Sequence, residues 1–374
     1  MRIVYCIAGF YRPAGMERVL ADKAGWLAAH GHEVTILTTE QKGRPYAFPL
    51  DERITLRDLA IGYEDNNGGS LWNKIIHYPG KQMRHWRLLK AAVEEIHPEI
   101  VVSMFCNEVN LVPSLKDGSR KVLEVHFSRF KRLQYSRKGL WALTDRIRSA
   151  QEAKWVRRYD RFIVLTEEDR SNWPRLDTLR VIPNPVHFTP DSPVALDTKM
   201  VISVGRYTYQ KGLDRLIDAW GTISRHCPEW MLCLVGDGED RAALDAQIQR
   251  LGLQDRVILG SFEGDMAAVY SKASILALAS RYEGLPMALI ESQAFGVPSV
   301  AFDCQCGPRE IIADGKTGIL VKEGDIPALA RALLTLIQDD GLRRQMGKNA
   351  FQGASRWNID HIMAEWTHLF DEIL

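Results

Sequence analysis

The chain lacks the long apolar segment that a membrane-spanning protein needs. No apolar run in its 374 residues approaches the roughly 18 residues required to cross a bilayer. The first strand-like segment begins at Arg2, and no charged region, hydrophobic region and cleavage site precede it. We therefore expect the chain to stay in the cytoplasm.

Metal and disulfide motifs are also scarce. The six cysteines include no Cys-x-x-Cys pair, and Cys304-x-Cys306 is too isolated for a metal site. Most of these cysteines lie in apolar surroundings, so we expect reduced, buried thiols. No Asp-x-Asp motif follows a predicted strand, and the nearest approach is Asp237-x-x-Asp240. The sequence thus predicts no metal centre.

There is almost no excess of charge of either sign. The chain carries 48 Lys and Arg against 47 Asp and Glu, a formal net charge of +1, which argues against nucleic acid as a partner. The distribution is uneven, because residues 120–161 hold thirteen basic side chains against four acidic ones.

Two stretches, residues 71–93 and 120–161, interleave basic residues with aromatic and aliphatic ones. That pattern suits an anionic bilayer surface. The alternative is a solvated helix face whose apolar side packs on a sheet. The basic residues that we expect at such a surface are Lys74, Lys81, Arg84, Arg87, Lys90, Lys131, Arg132, Arg137 and Lys138.

Apolar runs alternate with helix-period segments along the whole chain. The composition, 46% hydrophobic and 25% charged, is that of a globular protein, and the length predicts about two domains. The alternation predicts β-α units and two doubly wound parallel sheets. We predict strands at Ile3–Ile7, Val34–Leu37, Ile54–Leu59, Ile100–Met104, Val122–Val125, Phe162–Leu165, Val181–Ile182, Val201–Val204, Leu232–Val235, Val257–Leu259, Ile275–Leu278, Val300–Phe302 and Ile319–Val321.

The segment PNPVHFTPDSP separates the two predicted sheets. Its four prolines forbid a continuing helix or central strand, which places the domain boundary near residues 185–198. We assign residues 1–185 to the first domain and 186–358 to the second. Apolar positions at helical spacing predict a last helix over residues 359–374.

Two glutamates, Glu283 and Glu291, flank a predicted helix start that follows a buried strand. A helix start offers unpaired backbone N–H groups to phosphate, and flanking carboxylates can accept hydrogen bonds from sugar hydroxyls. Those are the two parts of a nucleotide sugar. The spacing alone also fits a solvated helix face, so the surrounding motifs must decide between the two interpretations.

Other polar residues also follow predicted strands, where ligands bind in open α/β sheets. Gly15 lies in a loop before a helix whose start can face a phosphate. Arg206 and Lys211 suit a leaving diphosphate, unless they form a solvated surface pair. His126 closes the strand-like segment KVLEV, where it either contacts a substrate or is a satisfied core residue.

Several longer motifs occur together, in order, along the chain. They are GMERV near the start, VIPNPV before the linker, and then VISVGRYTYQKGLD, EGLPMALIESQAFGVP and GPREIIADGKTGILV. As a set they resemble the pattern of glycosyltransferase family 4, of retaining nucleotide-sugar transferases. The resemblance implies the GT-B fold, in which two Rossmann-like domains with doubly wound parallel sheets face an interdomain cleft.

The resemblance also implies roles for the candidates that bind the donor. Glu283 would contact donor-sugar hydroxyls, and Glu291 would bind the ribose. Backbone amides of one short segment would hold the diphosphate and the sugar, namely those of Gly284, Leu285, Pro286, Met287, Ala288 and Leu289.

The remaining candidates would act on the leaving group and the reacting carbon. Arg206 and Lys211 would neutralise the charge that develops as the nucleoside diphosphate departs. Gly15 would line the phosphate from the opposite domain, and His126 matches the family's histidine beside the reacting end of the sugar. The leaving phosphate itself would serve as the base, with no metal or other cofactor.

The resemblance implies transfer of a hexose or N-acetylhexosamine from a UDP-sugar to a glycan or lipid-linked acceptor, in surface polysaccharide or lipopolysaccharide assembly. The first domain would bind the acceptor, the second would bind the donor, and the last helix would return to the first domain. Two alternatives remain at this point. One is a UDP-sugar epimerase of GT-B fold, and the other is a non-catalytic module that binds sugar nucleotides or membranes.

Overall fold

The computed structural model describes residues 1–66, 71–131, 140–186, 190–261 and 265–374. The chain forms two compact units. The first consists of Met1–Pro185 together with Ile359–Leu374, and the second consists of Val186–Asn358. The segment 359–374 therefore belongs to the first unit, although it follows the second in the chain.

Each unit is built around one parallel sheet. The strands of the first unit are β1 (Arg2–Ile7), β2 (Glu33–Thr38), β3 (Thr55–Asp58), β4 (Ile100–Ser103), β5 (Arg120–Glu124), β6 (Arg161–Val164) and β7 (Leu179–Val181). Those of the second are β8 (Met200–Val204), β9 (Met231–Val235), β10 (Val257–Gly260), β11 (Ile275–Leu278), β12 (Ser299–Asp303) and β13 (Gly318–Lys322). The strand orders are β3-β2-β1-β4-β5-β6-β7 and β10-β9-β8-β11-β12-β13.

Helices connect the strands and cover the sheets. Within the described ranges the α-helices are α1 (Gly15–Ala29), α2 (Leu71–Ile96), α3 (Leu140–Trp155), α4 (Glu167–Asn172), α5 (Leu213–Ile223), α6 (Arg241–Arg250), α7 (Met266–Ser271), α8 (Met287–Ala294), α9 (Pro308–Ile311), α10 (Ile326–Gln338), α11 (Asp340–Gly353) and α12 (Ile359–Ile373).

Both faces of each sheet are covered, which explains why the strands are apolar almost throughout. All four residues of β4 and all four of β11 are buried. In the first unit one hydrophobic cluster joins β1 to α1 and α12, and a second cluster joins the opposite face to α2. Of the seven apolar positions that predict α12, Ile359 is half-buried. The other six are buried, namely Ile362, Met363, Trp366, Leu369, Phe370 and Ile373.

The predicted fold class is confirmed: both sheets are parallel and doubly wound. Each of the thirteen predicted strands is present, and its ends differ from the prediction by at most two residues. One difference affects a candidate residue. Because β5 ends at Glu124, His126 lies two residues beyond the strand and does not close it.

Side-chain caps fix several helix starts. Asp325 accepts from the Ala328 amide at the start of α10, and Asp339 accepts from the Leu342 amide at the start of α11. The helices α1 and α8 have no such side-chain cap. Their first backbone N–H groups are therefore left without the usual intramolecular acceptor.

All six cysteines are free thiols; Cys106 and Cys233 are partly exposed and the other four are buried. Within the described residues, no helix is both long enough and apolar enough to cross a membrane. In the same ranges, no three His, Cys, Asp or Glu side chains are grouped so that they could hold a metal ion.

Candidate functional site

The carboxyl ends of β8 and β11 form the switch point of the second sheet. These two strands are neighbours, and the chain order runs outward from them in both directions. Side chains that follow adjacent parallel strands meet at the same edge of a sheet, where ligands of open α/β sheets bind. Lys211 follows β8 and Glu283 follows β11.

Lys211 and Glu283 form an ion pair at this edge. The Nζ atom of Lys211 lies 2.7 Å from Oε1 of Glu283, and the Ser280 hydroxyl donates to the same oxygen at 2.6 Å. The Glu283 side chain is only 6% exposed and that of Lys211 is 20% exposed. No described residue donates to the second oxygen, Oε2. Two donors thus fix the carboxylate and leave one oxygen for a ligand hydroxyl.

The turn that carries Lys211 is held close to β11 by local packing. Gly205 adopts φ of 155°, and a Cβ at this position would lie 2.9 Å from Cε of Lys211. The lysine stem therefore packs directly on the glycine backbone. The Lys211 side chain thus crosses the Gly205 backbone before it reaches Glu283.

Arg281 joins the Lys211 turn to the Glu283 loop. Its guanidinium makes two hydrogen bonds to the Asp214 carboxylate, at 2.9 and 2.6 Å, and one to the Tyr209 carbonyl at 2.6 Å. Burial alone would raise the pKa of Asp214, but the hydrogen bonds and charge of Arg281 outweigh it and lower the pKa. The paired carboxylate is therefore ionised at neutral pH, and Arg281 links the two loops through three hydrogen bonds.

Free backbone amides line the start of α8. In the part of the chain that the structure describes, the N–H groups of Gly284, Leu285, Met287 and Ala288 donate to no protein acceptor. The sequence prediction was wrong for the other two positions of the segment. Pro286 has no N–H group, and the Leu289 amide already donates to the Pro286 carbonyl at 3.0 Å.

Glu291 lies about one turn beyond Met287, the first residue of α8. Its Oε2 atom accepts a hydrogen bond of 2.6 Å from the hydroxyl of Tyr270, which stacks on Phe295. Burial raises the pKa of Tyr270 well above its usual value, and the Glu291 charge adds to the effect. Tyr270 therefore remains protonated and orients the carboxylate.

Arg206 is exposed beyond β8. Neither a hydrogen bond nor a salt bridge of its side chain occurs within the described ranges. The structure thus brings Lys211 and Glu283 into contact but leaves the Arg206 guanidinium free for a ligand.

Two candidates lie in the first unit. Gly15 is the first residue of α1, and its N-cap residue Ala14 provides no side-chain cap. The His126 side chain is only 6% exposed, with Nε2 lying 3.2 Å from Oε1 of Glu124. Among the described residues, neither ring nitrogen has a partner of good hydrogen-bond geometry.

Sequence reasoning missed the residues that hold the candidates in place, namely Ser280, Arg281, Tyr270, Glu124 and Lys23. Ser280 directly follows the apolar run before Glu283, so its position beyond the strand was an available signal. Glu124 lies two residues before His126. Tyr270 contacts Glu291 across 21 positions, Arg281 contacts Asp214 across 67 and Lys23 contacts Glu124 across 101, and no local pattern marks these contacts.

The comparisons with known proteins agree with this architecture. The family model "Glycosyltransferase Family 4" matches residues 13–189, and "Glycosyl transferases group 1" matches residues 188–353. The chain is similar to the amylovoran biosynthesis glycosyltransferase AmsD of Erwinia amylovora, with 26% identity over 99% of each chain. It is also 26% identical, over 100% of this chain and 99% of the relative, to the GalNAc-α-(1→4)-GalNAc-α-(1→3)-diNAcBac-PP-undecaprenol α-1,4-N-acetyl-D-galactosaminyltransferase of Campylobacter jejuni.

A solved structure has the same fold over the whole chain. The structure of Anabaena HepE in complex with UDP-glucose matches with a TM-score of 0.77 and 19% identity, covering 100% of both chains. The two matching family models, the full-length relatives and the two doubly wound parallel sheets lead to one conclusion. The chain is a glycosyltransferase of family 4 with the GT-B fold.

Proposed function

We propose that this glycosyltransferase moves a hexose or N-acetylhexosamine from a UDP-sugar to a glycan or lipid-linked acceptor, with retention of configuration, in surface polysaccharide or lipopolysaccharide synthesis. The observation that carries the proposal is the Lys211–Glu283 ion pair beside four free backbone amides at the switch point of the second sheet. Cation, carboxylate and helix start together match the parts of a nucleotide sugar.

Each group has a task in this reaction. The free amides and the positive end of α8 hold the diphosphate, and Lys211 and Arg206 balance the charge that grows as it leaves. Oε2 of Glu283 accepts a hydrogen bond from a sugar hydroxyl, and Glu291 accepts from the ribose. The bond between the anomeric carbon and the diphosphate oxygen breaks, and the acceptor oxygen bonds on the same face. The leaving phosphate takes the acceptor's proton.

The relatives support the choice of donor and acceptor class. HepE binds UDP-glucose in its solved complex. AmsD takes its name from amylovoran biosynthesis, and the Campylobacter enzyme from a glycan linked through diphosphate to undecaprenol. A UDP-sugar donor and a lipid-linked glycan acceptor are therefore the first compounds to test.

A donor and acceptor screen with the purified protein tests the proposal. We expect free UDP to form with one UDP-hexose or UDP-N-acetylhexosamine, and only when an acceptor is present. The product's anomeric configuration, read by NMR, should equal the donor's. Inversion would exclude the retaining mechanism. Conversion of the donor to an epimer without acceptor would favour the epimerase, and no reaction with any donor would favour a non-catalytic module.

Activity is expected to survive removal of divalent cations. Lys211 and Arg206 supply the positive charge that a cation would otherwise bring to the leaving diphosphate. Initial rates measured after dialysis against EDTA should equal those of the untreated enzyme. Loss of transfer on chelation, with recovery on adding Mg²⁺ or Mn²⁺, would contradict this expectation.

A membrane surface is the partner that we propose for α2. The helix carries five Lys and Arg residues before its first acid, Glu94. The side chains of Arg84 and Arg87 are exposed, and so are those of Ile76 (67%) and Met83 (53%). Exposed basic and apolar side chains on one helix suit an anionic bilayer, which is where a lipid-linked acceptor resides.

The structure supports only part of the membrane-binding surface that the sequence predicted from residues 71–93 and 120–161. Leu89, which belongs to the same stretch, is buried in the core. Lys131 lies 4.7 Å above the Phe127 ring, whereas Arg132, Arg137 and Lys138 lie outside the described residues. The membrane proposal therefore depends on α2.

Reversing two charges on α2 should weaken membrane binding. Each cation near the headgroups contributes about 1 kcal/mol, so Arg84→Glu with Arg87→Glu should lower the vesicle partition coefficient roughly 30-fold or more. Sedimentation with anionic vesicles at low salt measures the partition coefficient.

The matched control is Arg331→Glu with Lys348→Glu, which reverses two exposed charges of the second unit. That variant should pellet like the wild type. Equal binding of both variants, or failure of the wild type to pellet, would exclude α2 as a membrane surface.

A further inference from the structure

Tyr209 is a half-exposed aromatic residue in the turn that carries Lys211. It begins the short 3₁₀ helix Tyr209–Lys211, in the loop that follows β8 at the carboxyl edge of the second sheet. The residue is 54% exposed. A single exposed ring on a loose loop needs no explanation. The surroundings therefore decide whether this ring is a surface prepared for a ligand.

Arg281 holds the Tyr209 ring from one side. The guanidinium carbon lies 4.0 Å from the ring centroid, and the same guanidinium donates to the Tyr209 carbonyl at 2.6 Å. Two hydrogen bonds to the Asp214 carboxylate fix the guanidinium in turn. The Arg281 side chain is only 13% exposed. One face of the ring is thus covered by a fixed side chain, and the exposed surface belongs to the other face and the ring edge.

Further hydrogen bonds join this turn to the loop of Glu283. The Arg281 amide donates to the Gln210 carbonyl at 2.8 Å, and the Gln210 side-chain amide donates to the Tyr282 carbonyl at 3.1 Å. Tyr282 directly precedes Glu283. The turn is therefore ordered relative to the candidate site before any ligand arrives, and a ligand that packs on the ring does not have to order it.

The free face of the Tyr209 ring suits the apolar face of a sugar. A pyranose presents several C–H groups on one face, and their weakly positive hydrogens pack on the negative face of an aromatic ring. A guanidinium on the opposite face would weaken that negative character. Asp214 is ionised beside Arg281, however, and balances the guanidinium charge.

The location of Tyr209 argues against contact with the nucleoside. Arg281 connects Tyr209 to Asp214 in the first turn of α5, whereas Glu291, the proposed ribose ligand, lies on α8. The connections β8–β9 and β11–β12 run in opposite directions across the sheet, which places α5 and α8 on opposite faces. The hydrophobic cluster that includes α5 and α10 accordingly contains no residue of α8. A ring on the α5 side is therefore on the side away from the ribose.

We propose that Tyr209 is a stacking platform for a pyranose ring. The apolar face of the sugar packs on the free face of Tyr209, while Arg281 and Asp214 hold the aromatic ring from behind. The pyranose is either the sugar of the donor or the terminal sugar of the acceptor, which share this chemistry. The inference rests on the proposed function, which puts the ribose at Glu291 and the diphosphate at the start of α8.

The test is Tyr209→Leu in the full-length enzyme, with the donor and the acceptor that the screen identifies. Leucine keeps an apolar side chain over Arg281 but has no aromatic face. We expect KM for one of the two sugar substrates to rise about 3- to 10-fold, while the inhibition constant of UDP is unchanged. A higher donor KM assigns the stacking platform to the donor sugar, and a higher acceptor KM assigns it to the acceptor. Unchanged KM values for both, or an equal rise in the UDP constant, would overturn the proposal.

A conservative variant and a matched control separate stacking from a structural effect. Tyr209→Phe keeps the ring and should have wild-type KM values, so a rise equal to that of Tyr209→Leu would count against stacking. Tyr46 is 51% exposed and packs edge-on against Phe10 in the first unit. Tyr46→Leu should leave both KM values and the UDP constant unchanged. The same rise in this control would overturn the assignment to Tyr209.

Binding measured without turnover distinguishes this inference from the proposed function. Saturation-transfer NMR is recorded with UDP-glucose, UDP-N-acetylglucosamine and the methyl glycosides of both sugars. In Tyr209→Leu the saturation transferred to the pyranose C–H protons should fall, while that of the uridine protons stays. The same fall in a protein that transfers no sugar would retain the stacking platform and refute the proposed function. Equal pyranose signals from the wild type and the variant, in an active enzyme, would retain the function and overturn the stacking platform.

Discussion

Replacement of Lys211 by alanine is expected to lower kcat about 10²–10³-fold with the fold intact. A charge-assisted contact that strengthens as the diphosphate departs contributes about 2–4 kcal/mol to the transition state, which corresponds to this factor. Because the contact grows during the reaction, kcat should fall more than the donor KM rises. Steady-state kinetics with the donor identified by the screen measure both quantities.

A second substitution at Lys211 separates charge from packing. Methionine keeps the aliphatic stem that packs on Gly205 but removes the ammonium, so Lys211→Met should lose kcat as Lys211→Ala does. Lys348→Ala, on the exposed face of α11, is the control and should have wild-type kinetics. Near-wild-type kcat in both Lys211 variants would remove Lys211 from the leaving-group chemistry.

Either substitution also removes one of the two donors to Oε1 of Glu283. The Lys211 side chain is 20% exposed, so water can replace part of the lost contact. We expect the free energy of unfolding to fall by about 1–3 kcal/mol. Glu283→Gln with Lys211→Met completes a double-mutant cycle, which reports the coupling between the two side chains in the transition state.

The fold could be predicted because parallel sheets covered on both faces leave a strong pattern. Strands such as Ile275–Leu278 are apolar at every position, and amphipathic helices alternate with them. The strand ends were less certain, because polar residues such as Arg120 and Lys121 continue β5 through backbone pairing alone. That pairing depends on the neighbouring strand β4, and no local preference reveals it.

The candidate site could be predicted only as a set of residues that follow strands. Lys211 and Glu283 are 72 positions apart, and their contact depends on β8 and β11 being neighbours. The supporting residues depend on tertiary packing in the same way. Tyr270 reaches Glu291 from a different helix, and Lys23 reaches Glu124 across 101 positions. Among the contacts and free groups described at this site, only the lack of an N–H group at Pro286 follows from the residue type itself.

The second large effect is expected for a substitution of Gly212, the residue after Lys211. Gly212 lies in the left-handed region, with φ of 61°, between the turn that carries Lys211 and the first residue of α5. A Cβ at this position would lie 2.1 Å from the carbonyl oxygen of Ala279, just beyond β11. Moving the backbone at Gly212 or at Ala279 to relieve this contact would shift Lys211 relative to Glu283.

Gly212→Ala should therefore disturb stability and catalysis together. The left-handed conformation costs an alanine about 1 kcal/mol. Relieving the contact with the Ala279 backbone should add about 1–3 kcal/mol. Because Lys211 is the preceding residue, kcat should fall at least tenfold. Chemical denaturation followed by far-UV circular dichroism measures the loss of stability, and steady-state kinetics measure the loss of kcat.

Gly252 is the matched control for this substitution. It has nearly the same backbone conformation, with φ of 66°, but a Cβ there would meet no atom within 4 Å. Gly252→Ala should cost only the conformational term of about 1 kcal/mol and leave kcat unchanged. The difference between the two variants then isolates the close approach of Gly212 to Ala279. Equal losses of stability in the two variants, with wild-type kcat in both, would show that the Lys211 turn tolerates a shift away from β11.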